Sequence, residues 1–518
     1  MDMAIPAPRS RALSTLSWLL LISLCISLSD SASLQGSRPR LGVRRGHNKQ
    51  KSDLFSQSLA ASFDYINHDY QTFHYDQTLD HFNYQPQSYA TFQQRYVVNF
   101  KHWRGAHAAA PILAYLGDES TVDGDVGSIG FILDNVGPLG ALEVYIEHRF
   151  YGKSIPFGLP REEAWKNATL RGYFNSAQAL ADYAEIILHL KKNLSAEASP
   201  VIVSGGSYGG MLAAWFRLKY PHIAIGALAS SAPILYFDNL TPSNTYYATV
   251  TDDFKDASVS CYNTIKQSWA EITKIAAKPN GLSILSNKFN TCKPLKKRTE
   301  LFDYLNSLYS VSAQYDSPPD YPVNRVCQGI DKGSQGTDIL GRIVSGIVAY
   351  GGGQKKKCND LGEFYSSETL EGWDWQTCSE LVQPIGCGAN DTMFYAQPFD
   401  YNDYKDYCIK KFGVAPRPHW VTTYYGGQNI KMILKKFGSN IIFSNGLRDP
   451  FSRAGVLENI SDSIVALYTK EGSHCLDIMP STKDDPDWLV AQRKKEAEII
   501  NGWIHKYYED LHMISSSS

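Results

Sequence analysis

Residues 201–222, VIVSGGSYGGMLAAWFRLKYPH, join a strand-like run of β-branched residues to a helix-like stretch through a glycine-rich turn. Pro200 to Ser204 has the length and apolar composition of a short buried strand, and Met211 to Tyr220 contains no glycine or proline and predicts a helix. A strand that leads at once into a helix is typical of a parallel sheet with crossover helices, which strongly limits the folds this chain can adopt.

The pattern Gly205-x-Ser207-x-Gly209 lies at this turn. It fits the nucleophile elbow of α/β-hydrolases, a sharp turn that exposes a serine hydroxyl above the sheet. The glycines are expected because a Cβ there would collide with neighbouring backbone. The same pattern recurs by chance in long chains, so the alternative is a glycine-rich loop in which Ser207 is merely small. The flanking strand and helix favour the nucleophile.

Strand-like and helix-like stretches alternate from about residue 90 to 235 and return at 439, whereas the alternation fails in between. An interrupted sheet that resumes about 200 residues later predicts an inserted domain. The predicted organisation is a core in two parts, residues 70–235 and 421–510, a cap domain at 236–420 and a disordered tail at 511–518. The predicted elements include strands at 94–100, 111–116, 142–147, 225–234, 439–446 and 463–469, and helices at 176–192, with Ser176 as N-cap, and 488–508.

The N-terminus has the order of a secretory signal peptide. Basic residues precede the apolar run from Leu13 to Leu28, and small residues follow it. We expect a signal peptide at residues 1–32, with a signal anchor as the alternative. Residues 33–69 are basic at first and lack hydrophobic periodicity, which predicts a disordered leader or processed propeptide rather than a binding arm. No later segment sustains the ~18 apolar residues of a membrane span.

Cysteines and glycosylation sequons agree with export. One of the nine cysteines, Cys25, lies in the signal region, and the remaining eight form an even set that favours disulfides over metal, without a paired C-x-x-C zinc spacing. These eight are Cys261, Cys292, Cys327, Cys358, Cys378, Cys387, Cys408 and Cys475. Sequons occur at Asn167, Asn193, Asn239, Asn390 and Asn459. Together these features predict a glycosylated lumenal or extracellular protein.

The composition argues against some partners. The hydrophobic share of 43% and charged share of 20% are typical of a soluble globular protein. A formal net charge of -2 gives no electrostatic reason to expect nucleic acid or an anionic membrane as a partner.

A serine hydroxyl becomes a useful nucleophile only when a histidine accepts its proton and a carboxylate fixes the histidine tautomer. In the α/β-hydrolase order the acid and then the base follow the serine, each in a loop after a late strand. Asp449 and His474 meet this requirement, with a solvated turn aspartate as the alternative reading of Asp449. His505 and His512 lie in the terminal helical stretch and are interpreted as surface or packing residues.

Two backbone donors are expected to stabilise the oxyanion. One is the N–H of Tyr208, directly after the nucleophile, and the other comes from the loop GDES at 117–120, at Asp118 or Glu119.

Seven motifs carry a resemblance to a known family. They are DHFNYQPQSYATFQQRY (80–96), EHRFYGKSIPFG (147–158), GGSYGGMLAAWFRLKYPH (205–222), SSAPI (230–234), RPHWVTTYYGG (417–427), FSNGLRDPFS (443–452) and EGSHCLD (471–477). In these segments the chain resembles the lysosomal Pro-X carboxypeptidase family, which also contains dipeptidyl peptidase II. The resemblance implies an α/β-hydrolase with a helical, disulfide-bonded cap that cleaves beside proline without metal or organic cofactor. The implied triad is Ser207, Asp449 and His474.

The resemblance also implies three disulfides, Cys261 with Cys327, Cys292 with Cys358, and Cys378 with Cys408. Cys387 and Cys475 are then left over. We expect a bridge between them that tethers the cap to the loop of the catalytic histidine.

Departures from the family concern the substrate. The family usually has a second histidine after the catalytic one, and the carboxypeptidase has an arginine a little further on, where this chain has Cys475 and Met479. The remaining cations near the catalytic aspartate are Arg448 and Arg453. We therefore expect a weakened demand for a free substrate carboxylate.

Three further residues are candidates for substrate binding. Phe451 replaces the common tryptophan after the Asp-Pro pair and should still provide an apolar wall for proline. Trp420 lies in the motif RPHWVTTYYGG. Asp391 matches an acidic residue linked in the family to recognition of a substrate end, although a solvated cap residue is an equal alternative.

The leading hypothesis is a serine exopeptidase of the secretory pathway that releases a C-terminal residue from Pro-Xaa. The alternatives are a dipeptidyl aminopeptidase that releases Xaa-Pro, a non-catalytic secreted binding protein on a hydrolase scaffold and, less favoured, an esterase or lipase. The expected partner is a proline-containing peptide, with no nucleic acid and no membrane contact after signal cleavage, and a homodimer is left open.

Overall fold

A computed structural model describes residues 69–517 apart from 334–337, 354–355, 365–367, 389–390 and 427. The predicted signal peptide, the leader up to residue 68 and the sequon asparagine Asn390 therefore lie outside the described residues.

One sheet forms the centre of the fold. In chain order its strands are β1 (Tyr70–Thr78), β2 (Thr91–Asn99), β3 (Ile112–Leu116), β4 (Leu142–Ile146), β5 (Val201–Gly206), β6 (Gly226–Ser230), β7 (Ile441–Gly446) and β8 (Ile464–Thr469). Their spatial order is β1-β2-β4-β3-β5-β6-β7-β8, with β1 and β2 antiparallel to their neighbours and the rest parallel. Strands β3 to β7 are buried along their whole length, as parallel strands covered on both faces must be. This is the α/β-hydrolase arrangement.

Helices cover the sheet and fill a long insertion. Within the described residues they are α1 (Gly130–Leu139), α2 (Arg161–Lys166), α3 (Ala168–Arg171), α4 (Ser176–Asn193), α5 (Tyr208–Lys219), α6 (Thr245–Ala257), α7 (Val259–Ala276), α8 (Gly281–Lys288), α9 (Arg298–Gln314), α10 (Pro322–Asp331), α11 (Ile339–Tyr350), α12 (Glu368–Ser379), α13 (Tyr401–Phe412), α14 (Trp420–Tyr425), α15 (Ile430–Phe437) and α16 (Asp487–Ser517). Helices α6 to α15 lie between β6 and β7, which pair directly. We call residues 231–440 the insertion.

The two faces of the sheet have separate cores because side chains alternate along each strand. On β3, Ile112 and Ala114 point to the face covered by α4 and α5, whereas Leu113 points to the face covered by α1 and α16. Full burial of a large aliphatic side chain such as Ile112 or Leu113 stabilises the fold by about 1.5–3 kcal/mol. Along the described ranges, no helix combines the length and apolar character required to cross a membrane.

Three disulfides join Cys261 to Cys327, Cys292 to Cys358, and Cys378 to Cys408, the pairs that the resemblance implies. The expected bridge between Cys387 and Cys475 is wrong, because both are buried free thiols. Cys387 packs in the hydrophobic cluster shared by the insertion and the α4–α5 face of the sheet, and its Sγ lies 3.2 Å from the carbonyl of Tyr395. Cys475 packs in the cluster on the opposite face, so the two sulfurs belong to separate cores.

Two further sequence expectations are corrected. The N-cap of α4 is Asn175, whose side chain accepts a hydrogen bond from the N–H of Gln178, whereas the Ser176 hydroxyl donates to Glu380. Residues 511–517 are not a disordered tail but continue α16. This segment contains no glycine or proline to stop the helix, and the Ser515 hydroxyl donates to the Leu511 carbonyl.

Candidate active site

Ser207 lies between the end of β5 at Gly206 and the start of α5 at Tyr208, on a turn with φ 58° and ψ −118°. A positive φ is unfavourable for a residue with a side chain and costs about 1–3 kcal/mol, so the surrounding structure must impose it. The N–H of Ser207 donates to the carbonyl of Ser230 at 2.8 Å, and the N–H of Met211 donates to the carbonyl of Ser207 at 2.9 Å. These bonds hold the serine on the turn, as the elbow interpretation predicts.

Close backbone contacts explain the glycines around Ser207. A Cβ on Gly205 would come within 2.1 Å of the Gly209 carbonyl oxygen, and a Cβ on Gly210 would come within 2.6 Å of the Ser230 carbonyl oxygen. No rotamer relieves a backbone clash, and the alternative of a permissive glycine-rich loop is therefore disfavoured.

His474 connects Ser207 to Asp449. The His474 Nε2 lies 2.9 Å from Ser207 Oγ, and its Nδ1 lies 2.7 Å from Asp449 Oδ2. These distances fit a neutral ring that accepts the serine proton at Nε2 and donates its Nδ1–H to the carboxylate. Burial is the largest single influence on the pKa of His474 and lowers it, but Asp449 and Cys475 together raise this pKa, and the net direction is upward.

Asp449 follows β7 in a tight turn, and its side chain is fully buried. The N–H of Phe451 donates to Asp449 Oδ1 at 2.9 Å, and the N–H of Asp449 donates to the carbonyl of Gly446 at 3.0 Å. Its other carboxylate oxygen faces His474. The alternative of a solvated turn aspartate is therefore wrong.

The two segments predicted to supply the oxyanion donors lie close together at the elbow. Tyr208 is the first residue of α5, where a helix N–H has no partner within the helix. The turn after β3 runs against the same place, because a Cβ on Gly209 would lie 3.0 Å from the Leu116 carbonyl oxygen and 3.4 Å from Asp118 Cβ. Asp118 and Glu119 are both buried there.

A polar network behind Tyr208 is not evident from the sequence. The Tyr208 hydroxyl lies 3.1 Å from His148 Nε2 and accepts a hydrogen bond of 2.8 Å from Gln376 Nε2. Gln376 belongs to α12 in the insertion and also donates to Glu380, which in turn accepts hydrogen bonds from the N–H and hydroxyl of Ser176. Burial lowers the pKa of His148 to about 4, so its ring is neutral at ordinary pH. The network fixes the residue that follows the nucleophile to both the core and the insertion.

An aromatic wall stands beside the histidine. The Phe451 ring is 5.7 Å from the His474 ring, 4.9 Å from Tyr246 and 6.1 Å from Tyr236, measured between centroids. Phe451 follows the turn of Asp449, and Tyr246 comes from α6 in the insertion. Phe451 thus contacts the triad histidine, and buried aromatic side chains of the insertion pack against Phe451.

The other substrate candidates have different neighbours. Trp420 stacks on Tyr424 at 5.1 Å, and Arg417 lies over its ring. Asp391 is exposed and accepts a hydrogen bond of 2.5 Å from the side chain of Asn244. These contacts do not connect either residue to the triad.

The two arginines near the catalytic loops are both in ion pairs. Arg448 donates to Asp316 of the insertion at 2.8 Å, where the carboxylate is fully buried. Arg453 lies 2.8 Å from Asp252, in a pair that is half exposed.

Among the described residues, no three His, Cys, Asp or Glu side chains come together as a metal-ion site.

Comparison with known proteins agrees with this geometry. The family model described as serine carboxypeptidase S28 matches residues 77–496. Lysosomal Pro-X carboxypeptidase of Mus musculus is 37% identical over 85% of this chain and 91% of its own length. The human protein of the same name is 36% identical over 85% of this chain and 89% of its own length. The thymus-specific serine protease of Homo sapiens is 30% identical over 83% of this chain and 86% of its own length. The chain therefore belongs to the serine carboxypeptidase S28 family and is a serine-type peptidase.

Proposed function

We propose that this peptidase is an exopeptidase that cleaves next to proline and releases a C-terminal residue from Pro-Xaa peptides, with Ser207, His474 and Asp449 as its catalytic residues. The observation that carries the proposal is the continuous hydrogen-bonded chain from Asp449 through His474 to a serine on a strained elbow. The names of the mammalian relatives supply the Pro-X preference.

The geometry supports acyl transfer in two halves. Ser207 Oγ attacks the prolyl carbonyl carbon while His474 Nε2 takes the hydroxyl proton, and Asp449 stabilises the imidazolium that forms. His474 then gives this proton to the leaving amine, and the C–N bond breaks to leave a prolyl ester on Ser207. In the second half a water molecule, deprotonated by His474, attacks the ester and restores the serine.

The oxyanion of each tetrahedral intermediate needs two donors. We assign one to the N–H of Tyr208 and the other to the turn that contains Asp118 and Glu119. The position of Tyr208 at the start of α5 and the close approach of the β3 turn to Gly209 support this assignment.

We assign the wall that contacts the proline ring to Phe451, the aromatic side chain beside His474, which Tyr246 and Tyr236 support through ring contacts. A pyrrolidine ring is apolar and rigid, and aromatic faces bind it with little loss of conformational entropy. Trp420 and Asp391 receive no support from their contacts, and we assign them no role in binding the proline ring.

The site offers little for binding the C-terminal carboxylate of the substrate. Burial of an unpaired carboxylate costs several kcal/mol, so a strict carboxypeptidase needs a dedicated cation. Arg448 is held by Asp316 and Arg453 by Asp252. We therefore propose that a free C-terminus is favoured but not strictly required.

We further propose that the protein acts in the lumen of the secretory pathway, a lysosome or the extracellular space. The three disulfides support an oxidising compartment, and the names of the mammalian relatives support a lysosomal one. The sequon residues Asn167, Asn193, Asn239 and Asn459 are exposed, which glycosylation requires.

Product analysis by mass spectrometry tests the proposal. A peptide pool that ends in Pro-Xaa and a pool that begins Xaa-Pro are each offered with the opposite terminus blocked. We expect loss of one C-terminal residue from the first pool and little change in the second. Release of Xaa-Pro dipeptides would instead establish a dipeptidyl aminopeptidase, and no cleavage of either pool by folded protein would support a binding role.

A further inference from the structure

Arg95 and Glu147 form a buried ion pair beside the turn that follows β3. Arg95 lies in the motif at residues 80–96 and Glu147 opens the motif at 147–158, although neither belongs to the triad. Arg95 is 2% exposed and Glu147 is fully buried. Arg95 Nη2 donates to Glu147 Oε1 at 2.5 Å, and Arg95 Nε donates to Glu147 Oε2 at 3.3 Å. Removing two charges from water is costly even when they pair, so this pair requires an explanation.

The backbone of Glu147 is fixed to β2. Glu147 directly follows β4, and its N–H donates to the carbonyl of Arg95 at 3.1 Å. The side chain of Gln94 donates to the Glu147 carbonyl at 2.7 Å. Ser154 Oγ accepts the N–H of Arg95 at 2.9 Å and donates to Glu147 Oε2 at 2.8 Å. The carboxylate therefore projects from a backbone position that the sheet holds in place.

The ion pair binds the far end of the turn after β3. Glu147 Oε1 accepts the N–H of Val122 at 3.1 Å. Arg95 Nη2 donates to Thr121 Oγ1 at 3.0 Å, and Arg95 Nη1 donates to Asp123 Oδ1 at 2.6 Å. Strands β3 and β4 are parallel neighbours, so their carboxyl ends meet at one edge of the sheet. A side chain that follows β4 can therefore hold the turn that follows β3.

The near end of the same turn is fixed separately. The N–H of Gly117 donates to the Ile146 carbonyl at 2.9 Å, and the Gly117 carbonyl accepts the Tyr183 hydroxyl at 2.7 Å. A Cβ on Gly117 would come within 2.5 Å of the Ile146 carbonyl oxygen, so the turn begins in close contact with β4. Residues 118–120, to which the proposed function assigns the second oxyanion donor, lie between these two fixed ends.

The position of a backbone donor determines how well it stabilises an oxyanion. The N–H must point at the oxygen that becomes charged in the transition state, at about 2.7–3.1 Å. Residues 117–121 connect β3 to a single 3-10 turn at Val122–Gly124, so a regular ladder of hydrogen bonds does not hold them. The contacts at the two ends must hold them instead, and those at the far end come from Arg95 and Glu147.

We propose that Arg95 and Glu147 are positioning residues for the oxyanion site, and that they hold residues 118–120 against the elbow of Ser207. They act through the N–H of Val122 and the hydroxyl of Thr121, and not on the substrate itself. The inference rests on the proposed function for the location of the second donor, but not for the preference for proline. A displaced turn weakens stabilisation of the tetrahedral intermediate and leaves substrate binding unchanged, so kcat falls while KM stays the same.

The test measures how fast a fluorophosphonate probe labels Ser207 in Glu147→Gln. Both carboxylate oxygens of Glu147 accept hydrogen bonds, so glutamine must turn its NH2 group towards one set of donors. In the labelling step Ser207 Oγ bonds to phosphorus, fluoride leaves and His474 takes the hydroxyl proton. Negative charge develops on an oxygen in the oxyanion site, and the reagent needs no proline.

The rate constant and the final amount of label report different properties. The rate constant depends on the geometry of the site, whereas the final label counts the active molecules. We expect the rate constant of Glu147→Gln to fall about tenfold or more while the final label stays near that of wild type, since loss of a whole donor costs about 10²–10³-fold. A merely structural role would lower the final label and leave the rate constant unchanged, and this result would overturn the proposal.

Glu143→Gln is the matched control. Glu143 is 1% exposed and lies near the start of β4, at the opposite end of the strand from Glu147. Its carboxylate accepts hydrogen bonds from the side chains of Tyr70, Asn99 and Tyr145. The same chemical change is thus made on the same strand, and we expect a rate constant within about twofold of wild type. Equal slowing in both variants would assign the effect to any buried carboxylate of β4 and contradict the proposal.

A milder pair of variants decides if Glu147→Gln does not fold. Thr121→Val keeps the shape of the side chain and removes the hydroxyl to which Arg95 donates, whereas Thr121→Ser keeps this hydroxyl. We expect Thr121→Val to lower the rate constant about threefold or more, and Thr121→Ser to recover much of the loss. A rate constant at the wild-type level in Thr121→Val would show that the turn does not depend on this contact.

Steady-state kinetics separates this inference from the proposed function. On Pro-Xaa peptides, Glu147→Gln should lower kcat about tenfold or more and change KM less than about twofold. A higher KM at unchanged kcat would assign the pair to substrate binding and overturn the inference. If wild type is labelled at Ser207 but does not cleave Pro-Xaa peptides, the proposed function fails, and the labelling rate constants still decide the role of Arg95 and Glu147.

Discussion

The backbone N–H of His474 donates a 3.0 Å hydrogen bond to the carbonyl of Gln314, the last residue of α9. The insertion therefore binds the backbone of the histidine directly, in addition to contributing Tyr246 to the aromatic cluster beside it. Arg448, next to Asp449, pairs with Asp316 of the same segment. The insertion and the core cannot separate at this point without disturbing the triad.

Ser207→Ala should leave a folded protein with activity lower by about 10³-fold or more, because the oxyanion donors and binding alone retain little rate. His474→Ala should be about as severe, and the double variant hardly worse, because the residues act as a unit. The measurement is kcat/KM on a Pro-Xaa peptide, with circular dichroism as the check on folding. Turnover near the wild-type level in Ser207→Ala would remove this serine from the mechanism.

Asp449→Asn should reduce kcat by about 10⁴-fold and move the acidic limb of the pH–rate profile to lower pH. The base is active when neutral, so activity falls as pH drops through the pKa of His474, which Asp449 raises. In Asp449→Asn the pKa of His474 is lower, so the acidic limb of the profile moves to lower pH. The profile of kcat/KM against pH for both proteins measures this shift, and a limb that stays in place would assign it to another group.

Tyr208→Phe removes the hydroxyl that joins His148 to Gln376 but keeps the backbone N–H assigned to the oxyanion. We expect the free energy of unfolding to fall by about 1–3 kcal/mol, because Gln376 loses a buried acceptor. The change in kcat should be much smaller than in Ser207→Ala. Chemical denaturation and steady-state kinetics on the same preparation separate the two effects, and a loss of kcat comparable to Ser207→Ala would place the hydroxyl in the chemistry.

Thiol counting tests the two unpaired cysteines. Cys387 and Cys475 are buried and free, so a protein lacking the N-terminal Cys25 should react with no more than a trace of thiol reagent when native and with two equivalents after unfolding without reductant. Cys475→Ser should keep the three disulfides and the fold. If no thiol reacts after unfolding, Cys387 and Cys475 form a disulfide with each other after all.

Amidation of a Pro-Xaa substrate should cost less than about tenfold in kcat/KM, or about 1.4 kcal/mol. The reason is that Arg448 and Arg453 are already paired with Asp316 and Asp252. Matched free-acid and amide peptides give the ratio directly. A loss of several hundredfold would show that a dedicated carboxylate site exists and that the interpretation of Cys475 and Met479 is incorrect.

Local patterns made the elbow and the sheet predictable. The strands around Ser207 are continuous apolar runs, and the glycines are required by backbone contacts within a few residues, so both leave a signal in a short window. Asp449 and His474 could be placed because each follows a recognisable late strand. The sequence could not give the distances between these residues and Ser207, but the order Ser, Asp, His along the chain is that of a triad in this fold.

Contacts between segments that are far apart in the sequence leave no recognisable local sequence pattern. Gln376 and Gln314 bond to the elbow and the histidine loop from within the insertion, where neither periodicity nor motif marks a polar residue as structural. The position of Ser176 at the start of a helix predicted an N-cap. Its hydroxyl instead donates a hydrogen bond to Glu380, 204 residues away in the sequence. The Cys387–Cys475 bridge failed because counting cysteines carries no information about which face of the sheet each occupies.

Pairing of β6 with β7 across the insertion has a consequence for biosynthesis. Ser207 and His474 are 267 positions apart, and β6 has no partner on its open side until β7 has been made. A nascent chain therefore carries an unpaired, apolar strand edge while the whole insertion, residues 231–440, is synthesised, the kind of surface that chaperones cover. The same delay keeps the nucleophile without its base until nearly the whole chain has emerged, so the unfinished peptidase is inert towards the proteins folding around it.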